Sequence, residues 1–294
     1  MTDLNGVYAE GASVGGYVDD GPALPAGQAE VYNALHGGKD NYGWDQELSA
    51  KLLKIFPGLP EVAKANLCFL RRAVRHLAEA GIWQFLDLGS GYPTEPYLHQ
   101  VVGDVLPGAR VAYVDRNTTV CCHLRALCRA EGVVTVQQDL LNVDAVLDDA
   151  LLAETIKPHV PTAAIMGAVW HFLSDEEVIE LIGRLRARLA PGSLMVFSLA
   201  RRDGLPKQKT VEAMEVYTEH VSPVWLRTKP EIIQLLGGCA LLPPGLVKTY
   251  AWCPDDPDDV TLAVDDADTP HLYAGVAGFL PDRRSRTSYG AERR

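Results

Sequence analysis

Apolar residues follow two spacings along the chain, one typical of helices and the other typical of buried strands. Between residues 59 and 80 they recur at helical spacing opposite arginines, which predicts an amphipathic helix that ends at Gly81. Beyond this helix, short apolar runs alternate with segments of helical length. The predicted strands are 82–87, 110–114, 133–138, 162–168 and 193–199. The alternation indicates an α/β fold whose mostly parallel sheet has helices on both faces.

Two capping boxes and two late apolar runs complete this pattern. The runs 240–246 and 272–279 predict a closing hairpin, which gives the sheet seven strands. The aspartate-rich segment 254–270 between them is expected to be a solvated loop, because the EF-hand pattern of calcium sites is absent. In each capping box a serine or threonine precedes a glutamate and starts a helix: Ser174 with Glu177, and Thr228 with Glu231.

Composition narrows the class of protein. The chain has 294 residues, of which 47% are hydrophobic and 22% charged, as is ordinary for a soluble globular protein. The formal net charge of −11 disfavours nucleic acid as a partner. No apolar stretch is long enough to cross a membrane and no signal peptide is recognisable, so a cytoplasmic location is expected. The six cysteines lack the paired spacing of zinc ligands, and no metal site is expected.

The chain is expected to divide into three regions. Residues 1–29 are rich in glycine, alanine and proline and have no clear period, which predicts a flexible arm. Residues 30–81 contain the long amphipathic helix and are expected to form a helical cap. Residues 82–294 contain all of the predicted strands, and therefore the sheet and any ligand site at its edge.

The end of the first predicted strand has the most specific chemical signal. An apolar run ends in Asp87, and the segment Gly89-Ser90-Gly91 follows at once, where glycines let the backbone turn sharply and approach a ligand. Twenty-four residues after Gly91, the second strand ends in Asp115. A carboxylate there can accept hydrogen bonds from both hydroxyls of a ribose. Together these elements predict a site for an adenosine-containing cofactor.

A missing glycine narrows the choice of cofactor. Dinucleotide folds place a third glycine where this chain has Thr94, and no phosphate-binding GxxxxGK[ST] loop occurs. An adenosyl ligand without phosphates fits better, and S-adenosylmethionine is the common one. The Asp87 carboxylate would then lie near its cationic methionine end. Two alternatives remain, a strand-turn-helix whose glycines serve only the turn and, more distantly, an NAD-dependent oxidoreductase.

Two other strand ends supply further site residues. After the third strand, Asp139 can accept from the adenine amino group while Leu140 packs on the ring, although Asp139 can equally be a helix N-cap. After the fourth strand, His171 is the best candidate for a general base, because imidazole titrates near neutral pH. It can instead be a structural histidine. Trp170 and Phe172 can bound an acceptor pocket, or Trp170 can belong to the core.

The segment 35–42 is unusual in composition. It contains two glycines, both signs of charge, an amide and a phenol, upstream of the sheet. It is either a plain turn between helices or a lid over the cleft with the glycines as its hinge. In the second interpretation Lys39 and Asn41 contact the cofactor. Tyr42 would assist catalysis, and Tyr32 would help to orient the acceptor.

Three segments resemble one known family. They are 37–42 (GGKDNY), 65–75 (ANLCFLRRAVR) and 84–94 (QFLDLGSGYPT), and shorter matches follow at 111–115, 138–140, 171–172 and 190–193. They are similar to a bacterial family of S-adenosylmethionine-dependent methyltransferases long catalogued as a domain of unknown function. The resemblance implies a Rossmann-like class I methyltransferase fold with a helical N-terminal cap. It also implies these cofactor ligands: Asp87, Gly89, Gly91, Asp115, Asp139 and Leu140.

The chain departs from the family pattern at two positions. Arg116 begins the triplet Arg-Asn-Thr where the family usually has Asn-Asp-Pro, and its guanidinium can stack on adenine. Trp170 replaces a smaller aliphatic residue, which is consistent with an acceptor pocket adapted to a specialised metabolite. These departures leave the acceptor unassigned.

Three functions are compatible with the sequence. The first is methyl transfer from S-adenosylmethionine to a small-molecule acceptor, with His171 as base where the acceptor must lose a proton. The second uses the same cofactor for cyclisation or elimination. The third is a protein that binds the cofactor without turnover. The sequence predicts neither the acceptor nor the oligomeric state.

Overall fold

The computed structural model describes residues 26–253 and 269–279, and within them eight strands form one sheet. Their order is β3-β2-β1-β4-β5-β8-β6, and β7 pairs with β8 outside this path. The first five of these are parallel and β8 is antiparallel to β5. The strands are β1 (Gln84–Leu88), β2 (Arg110–Asp115), β3 (Val133–Gln137), β4 (Thr162–Met166), β5 (Leu194–Ala200), β6 (Cys239–Leu241), β7 (Val247–Lys248) and β8 (Leu272–Phe279).

The sequence prediction of a mostly parallel α/β sheet is confirmed, with one correction at its edge. The predicted strand 240–246 is in fact two short strands, β6 and β7. Between them lies the pair Pro243-Pro244, and proline has no backbone N–H to donate to a neighbouring strand. Pairing along this edge is therefore interrupted and resumes only at Val247.

Helices cover both faces of the sheet, and three of them precede it. The first helices are α1 (Gln28–Leu35), α2 (Gly43–Ile55) and α3 (Leu59–Glu79); α1 begins inside the segment that was predicted to be a flexible arm. Residues 1–25 of that arm and most of the aspartate-rich segment lie outside the described residues. The later helices are α4 (Leu98–Val105), α5 (Thr118–Leu127), α6 (Val143–Leu147), α7 (Ala150–Thr155), α8 (Asp175–Arg188), α9 (Lys207–His220) and α10 (Lys229–Leu235).

Alternation along the central strand divides the core between the two faces of the sheet. Leu86 and Leu88 of β1 pack into one apolar cluster, which includes much of α8. Phe85 packs into the other cluster, against α3. None of the helices in residues 26–253 is long and apolar enough to cross a lipid bilayer.

The strand order fixes where a ligand can bind. From β1 the chain crosses over to β2 on one side, and β4 pairs with β1 on the other. At such a switch point the connections leave the sheet in opposite directions, so a crevice opens outside the carboxyl ends of the strands. The loops after β1, β2, β3 and β4 are therefore the ones that can line a site.

Candidate cofactor and acceptor site

A cavity of about 600 Å³ opens at the carboxyl ends of the strands, beneath the helices that precede the sheet. One end is lined by the polar loops that follow β1, β2 and β3. The other end is largely apolar and is lined by side chains from α2, α3 and α9, among them Leu52, Val62 and Met214. The arrangement joins a polar compartment at the switch point to an apolar chamber within one cavity.

The glycine turn after β1 forms the wall of the polar end. Gly89 has a φ of +76°, and its N–H donates to the Val114 carbonyl at 2.8 Å. A Cβ atom added to Gly89 would lie 2.9 Å from Cγ2 of Val169, so no side chain fits there. The Gly91 N–H donates to Oδ2 of Asp115 at 2.9 Å. The turn and the end of β2 are thus held together with bare backbone facing the cavity.

Asp115 presents its carboxylate beside this turn. The side chain is buried, and its Oδ1 accepts from the Asn117 N–H at 2.9 Å. Burial raises the pKa of Asp115, while the backbone hydrogen bonds from Asn117 and Gly91 and the charge of Arg116 oppose that rise. Each carboxylate oxygen has a further lone pair, so the group can accept from ligand hydroxyls as well.

Arg116 and Asp139 lie next to each other at the polar end. Their side chains are 3.7 Å apart, and Arg116 also donates to Oε1 of Gln28 at the start of α1. Asp139 accepts from the Leu141 N–H, but it is not the cap of the next helix, because Asn142 holds that position. With Leu140, these side chains line the cavity. The N-cap interpretation of Asp139 is therefore wrong.

Asp87 lies behind the glycine turn and does not line the cavity. Its side chain is 5% exposed, on the face of β1 that packs toward α3. Ser90, which does line the cavity, donates its hydroxyl to the Asp87 carbonyl at 2.9 Å. Asp87 is thus absent from the lining of the cavity, and the contact expected between its carboxylate and the cofactor stays a prediction.

The segment GGKDNY forms a turn between α1 and α2, and its predicted site residues do not line the cavity. The Asn41 side chain is buried and donates to Oδ1 of Asn33 and to the Gly38 carbonyl. Lys39 is exposed, and Tyr42 is 68% exposed. The segment is thus a turn that an internal amide network holds in place, and the site roles predicted for Lys39, Asn41 and Tyr42 stay predictions.

Trp170 belongs to the core and not to the acceptor pocket. Its ring is 0% exposed and stacks on Phe197, with centroids 4.5 Å apart and planes 5° apart. Its Nε1–H points at the sulfur of Met166, 3.3 Å away. Both rings belong to the short 3₁₀ helix 170–172, in which Trp170 packs into the core and Phe172 lines the cavity.

His171 lines the cavity, but its environment does not suit a general base. The Ala200 N–H donates to its Nδ1 at 3.3 Å, which leaves the ring hydrogen on Nε2. Burial, helped by the charge of Arg227, lowers the pKa of His171 to about 3. The imidazole is therefore neutral in ordinary buffers and presents its Nε2–H as a donor, an environment that disfavours the general base, and the catalytic role of His171 stays a prediction.

A chain of hydrogen bonds leads from the sheet to Tyr32. The Ala168 N–H donates to Ser198, which donates to the amide oxygen of Asn66 at 2.6 Å. The Asn66 amide then donates to the Tyr32 hydroxyl at 2.8 Å. Tyr32 lines the cavity as predicted. Asn66 and Ser198 were missed, although a buried amide on the apolar face of α3 is itself a signal.

Glu30 is a second residue that sequence reasoning missed. Its Oε1 accepts from the Tyr92 hydroxyl at 3.0 Å and from the Asn117 amide at 2.8 Å. Its Oε2 is buried and has no hydrogen-bond partner in the described part of the chain. Glu30 also lines the cavity, so a negatively charged side chain lies beside the polar end. No motif surrounds Glu30 that would single it out.

The strand order and the glycine turn at its switch point are those of a class I methyltransferase. The family model described as S-adenosyl methyltransferase matches residues 23–279, and the chain belongs to this family, whose cofactor is S-adenosylmethionine. The resemblance of the sequence to a family of S-adenosylmethionine-dependent methyltransferases is thereby confirmed, while the GGKDNY box as a mark of that family stays a prediction.

Two crystal structures are similar along most of the chain. One is of a proposed methyltransferase from Thermobifida fusca YX, with 36% identity over 87% of this chain and 96% of that chain, at a TM-score of 0.80. The other is of a DUF574 family protein from Streptomyces avermitilis MA-4680, with 32% identity over 87% and 98% of the two chains, at a TM-score of 0.81. No curated protein matches the sequence.

Proposed function

We propose that the chain transfers the methyl group of S-adenosylmethionine to a small-molecule acceptor. The observation that carries this proposal is the cavity of about 600 Å³, because it joins the glycine turn to an apolar chamber. Its volume is in the range of pockets that hold ligands of drug size. The apolar chamber lies next to the end of β4, where the reacting groups of cofactor and acceptor would meet.

The polar end fits the cofactor. Bare backbone at Gly89 and Gly91, with Ser90 between them, lets the methionyl part approach closely, since a side chain at Gly89 would strike Val169. Asp115 would accept the ribose hydroxyls. The adenine would lie beside the loops that follow β2 and β3. Arg116, Asp139 and Leu140 of these loops would surround it.

The acceptor would lie in the apolar end, between Tyr32, His171 and Phe172. Phe172 stacks on Tyr217 of α9 at 5.6 Å and forms an aromatic wall. Burial raises the pKa of Tyr32, so its hydroxyl keeps its proton. Because Asn66 already donates to that hydroxyl, the proton is directed elsewhere, toward a bound acceptor.

This geometry supports catalysis by alignment. The cofactor supplies a methyl group on a sulfonium that is intrinsically reactive, so the protein must hold acceptor and methyl in line and exclude water. The donors of Tyr32 and His171 would orient the acceptor. No described group is placed as a strong base, so we expect acceptors whose nucleophilic atom does not need one.

The proposal is tested by titration calorimetry with S-adenosylmethionine, S-adenosylhomocysteine and NAD, followed by product analysis with candidate acceptors. We expect the two adenosyl ligands to bind and NAD to fail, because the third glycine of a dinucleotide site is absent. Methyl transfer yields S-adenosylhomocysteine, whereas elimination yields methylthioadenosine. Binding of NAD alone, or methylthioadenosine as the product, would contradict the proposal.

The neutral state of His171 leads to a prediction that needs no acceptor. Nitrogen-detected NMR of the imidazole should show a neutral ring with its hydrogen on Nε2 down to about pH 4, since burial lowers the pKa of this histidine to about 3. A His171→Asn variant assigns the resonance. Titration of the ring with a midpoint near the ordinary value of about 6.5 would show that His171 can act as a base after all.

A further inference from the structure

The acceptor end of the cavity contains a buried arginine whose charge no described carboxylate neutralises. Arg201 follows β5 directly and lines the cavity, with 7% of its surface exposed. Within residues 26–253 and 269–279, no carboxylate oxygen lies within 4.0 Å of its guanidinium, and its Nε has no hydrogen-bond partner. A buried cation without a counter-charge lowers the free energy of unfolding. We therefore expect the Arg201 guanidinium to have an anionic partner.

The surroundings of Arg201 hold the guanidinium in place without neutralising it. One Nη donates to the Asp203 carbonyl, and the guanidinium carbon lies 6.0 Å from the centre of the Tyr273 ring. The Asp203 carboxylate accepts from the Tyr273 hydroxyl at 2.8 Å rather than from the arginine. The direct contacts of the guanidinium are therefore a carbonyl and an aromatic ring, and the nearby Asp203 carboxylate, whose Oδ1 is buried without a partner in the described residues, forms no ion pair with it.

A second buried arginine nearby shows the contrast. Arg227 is also buried, but each of its three guanidinium nitrogens has a partner. Nε donates to Asp175 at 2.8 Å, Nη1 to the Trp170 carbonyl at 2.7 Å and Nη2 to the Leu173 carbonyl at 2.6 Å. Arg227 is satisfied by the protein itself, whereas Arg201, which lines the cavity, has a buried Nε without a hydrogen-bond partner in the described residues.

We infer that the acceptor substrate is an apolar small molecule with a carboxylate, which Arg201 binds. This inference rests on the proposed function and assigns its substrate class. Tyr32 and His171 also present donors at this end of the cavity, so all three polar groups suit an anionic oxygen. The acidic residues that line the cavity, Glu30, Asp115 and Asp139, belong to the cofactor end. The two ends thus differ in charge, and an anion is drawn to the Arg201 end.

The test uses 2-naphthoate and 2-naphthamide, which share an apolar body and differ in charge. Each is titrated into the full-length chain, with and without saturating S-adenosylhomocysteine. We expect 2-naphthoate to bind about tenfold tighter or more, because a charge-assisted bond to Arg201 is lost in the amide. Arg201→Met should abolish this preference. Equal binding of the two probes, or binding of neither, to the wild type would overturn the inference.

Arg202 provides the matched control. It is the next residue in the chain, more than half exposed, and its charge is paired with Glu231 at 2.6 Å. Arg202→Met should keep the preference for 2-naphthoate. Arg201→Lys keeps the charge and should retain part of the preference, which covers the case in which Arg201→Met fails to fold. A preference that survives in correctly folded Arg201→Met would also overturn the inference.

Binding of S-adenosylhomocysteine to the same variants separates this inference from the proposed function. Arg201→Met should leave that affinity within about twofold, since the polar end is lined by other residues. If the variant instead loses S-adenosylhomocysteine and keeps the preference for 2-naphthoate, Arg201 binds the carboxylate of the cofactor and the inference is wrong. If the wild type binds 2-naphthoate but no adenosyl ligand, the proposed function fails while the anion site stands.

Discussion

Asp115→Ala should weaken the binding of S-adenosylhomocysteine about a hundredfold, as measured by titration calorimetry. The carboxylate lies at the end of β2 and lines the cavity, and under the proposed function it would accept charge-assisted hydrogen bonds from both ribose hydroxyls. It also ties the glycine turn to β2 through the bond from the Gly91 N–H. Alanine removes both the ligand contacts and the hydrogen bond from the Gly91 N–H. The loss of affinity should therefore exceed that expected for one neutral hydrogen bond.

Two further variants make the Asp115 test specific. Asp115→Asn keeps the shape and one acceptor oxygen, and its loss should be smaller, about tenfold. Asp104→Ala removes an exposed carboxylate next to the end of α4 and should leave the affinity unchanged. If folded Asp115→Ala binds S-adenosylhomocysteine within about threefold of the wild type, Asp115 does not hold the ribose.

Those parts of the fold that have local sequence signals were predictable. The helix 59–80 was recognisable from its apolar face, and the structure places α3 at Leu59–Glu79. The turn at Gly89 was recognisable because few residues adopt a positive φ, and the structure confirms that no Cβ fits there. Such features depend on neighbours along the chain, which a single sequence displays directly.

Those parts of the site that depend on packing were not predictable. Trp170 and Phe172 are two positions apart, and only the path of the 3₁₀ helix decides that the first is buried and the second faces the cavity. His171 was chosen for its ordinary pKa, which Arg227, far along the chain, helps to lower. Arg201 belongs to no motif, and its importance depends on which partners surround it. These properties arise from tertiary contacts, so only the structure reveals them.

Asp87 gives a pH dependence that the sequence did not predict. Burial raises the pKa of Asp87 from 3.8 to about 7, and the charge of Asp115 adds to the rise while the Ser90 hydroxyl opposes it. In the unfolded chain the carboxyl ionises at its ordinary value. Between these two pKa values the folded state holds a proton that the unfolded state has released. Stability is therefore lost as the pH rises through this window, and above about pH 7 the full cost of the buried charge is present.

Asp87→Asn should accordingly raise the free energy of unfolding at about pH 8 by about 1–4 kcal/mol and change it little near pH 4. Asparagine has nearly the same shape and does not ionise, so it removes only the charge. The measurement is urea unfolding of wild type and variant across this pH range. Asp104→Asn, at an exposed carboxylate, should show no such difference. An equal effect of Asp87→Asn at both pH values would mean that the carboxyl is ionised throughout, with its charge stabilised by groups other than Ser90.

Because the Asp87 side chain does not line the cavity, the stabilised variant should still bind S-adenosylhomocysteine. That result would separate Asp87, which acts on stability, from Asp115, which acts on the ligand.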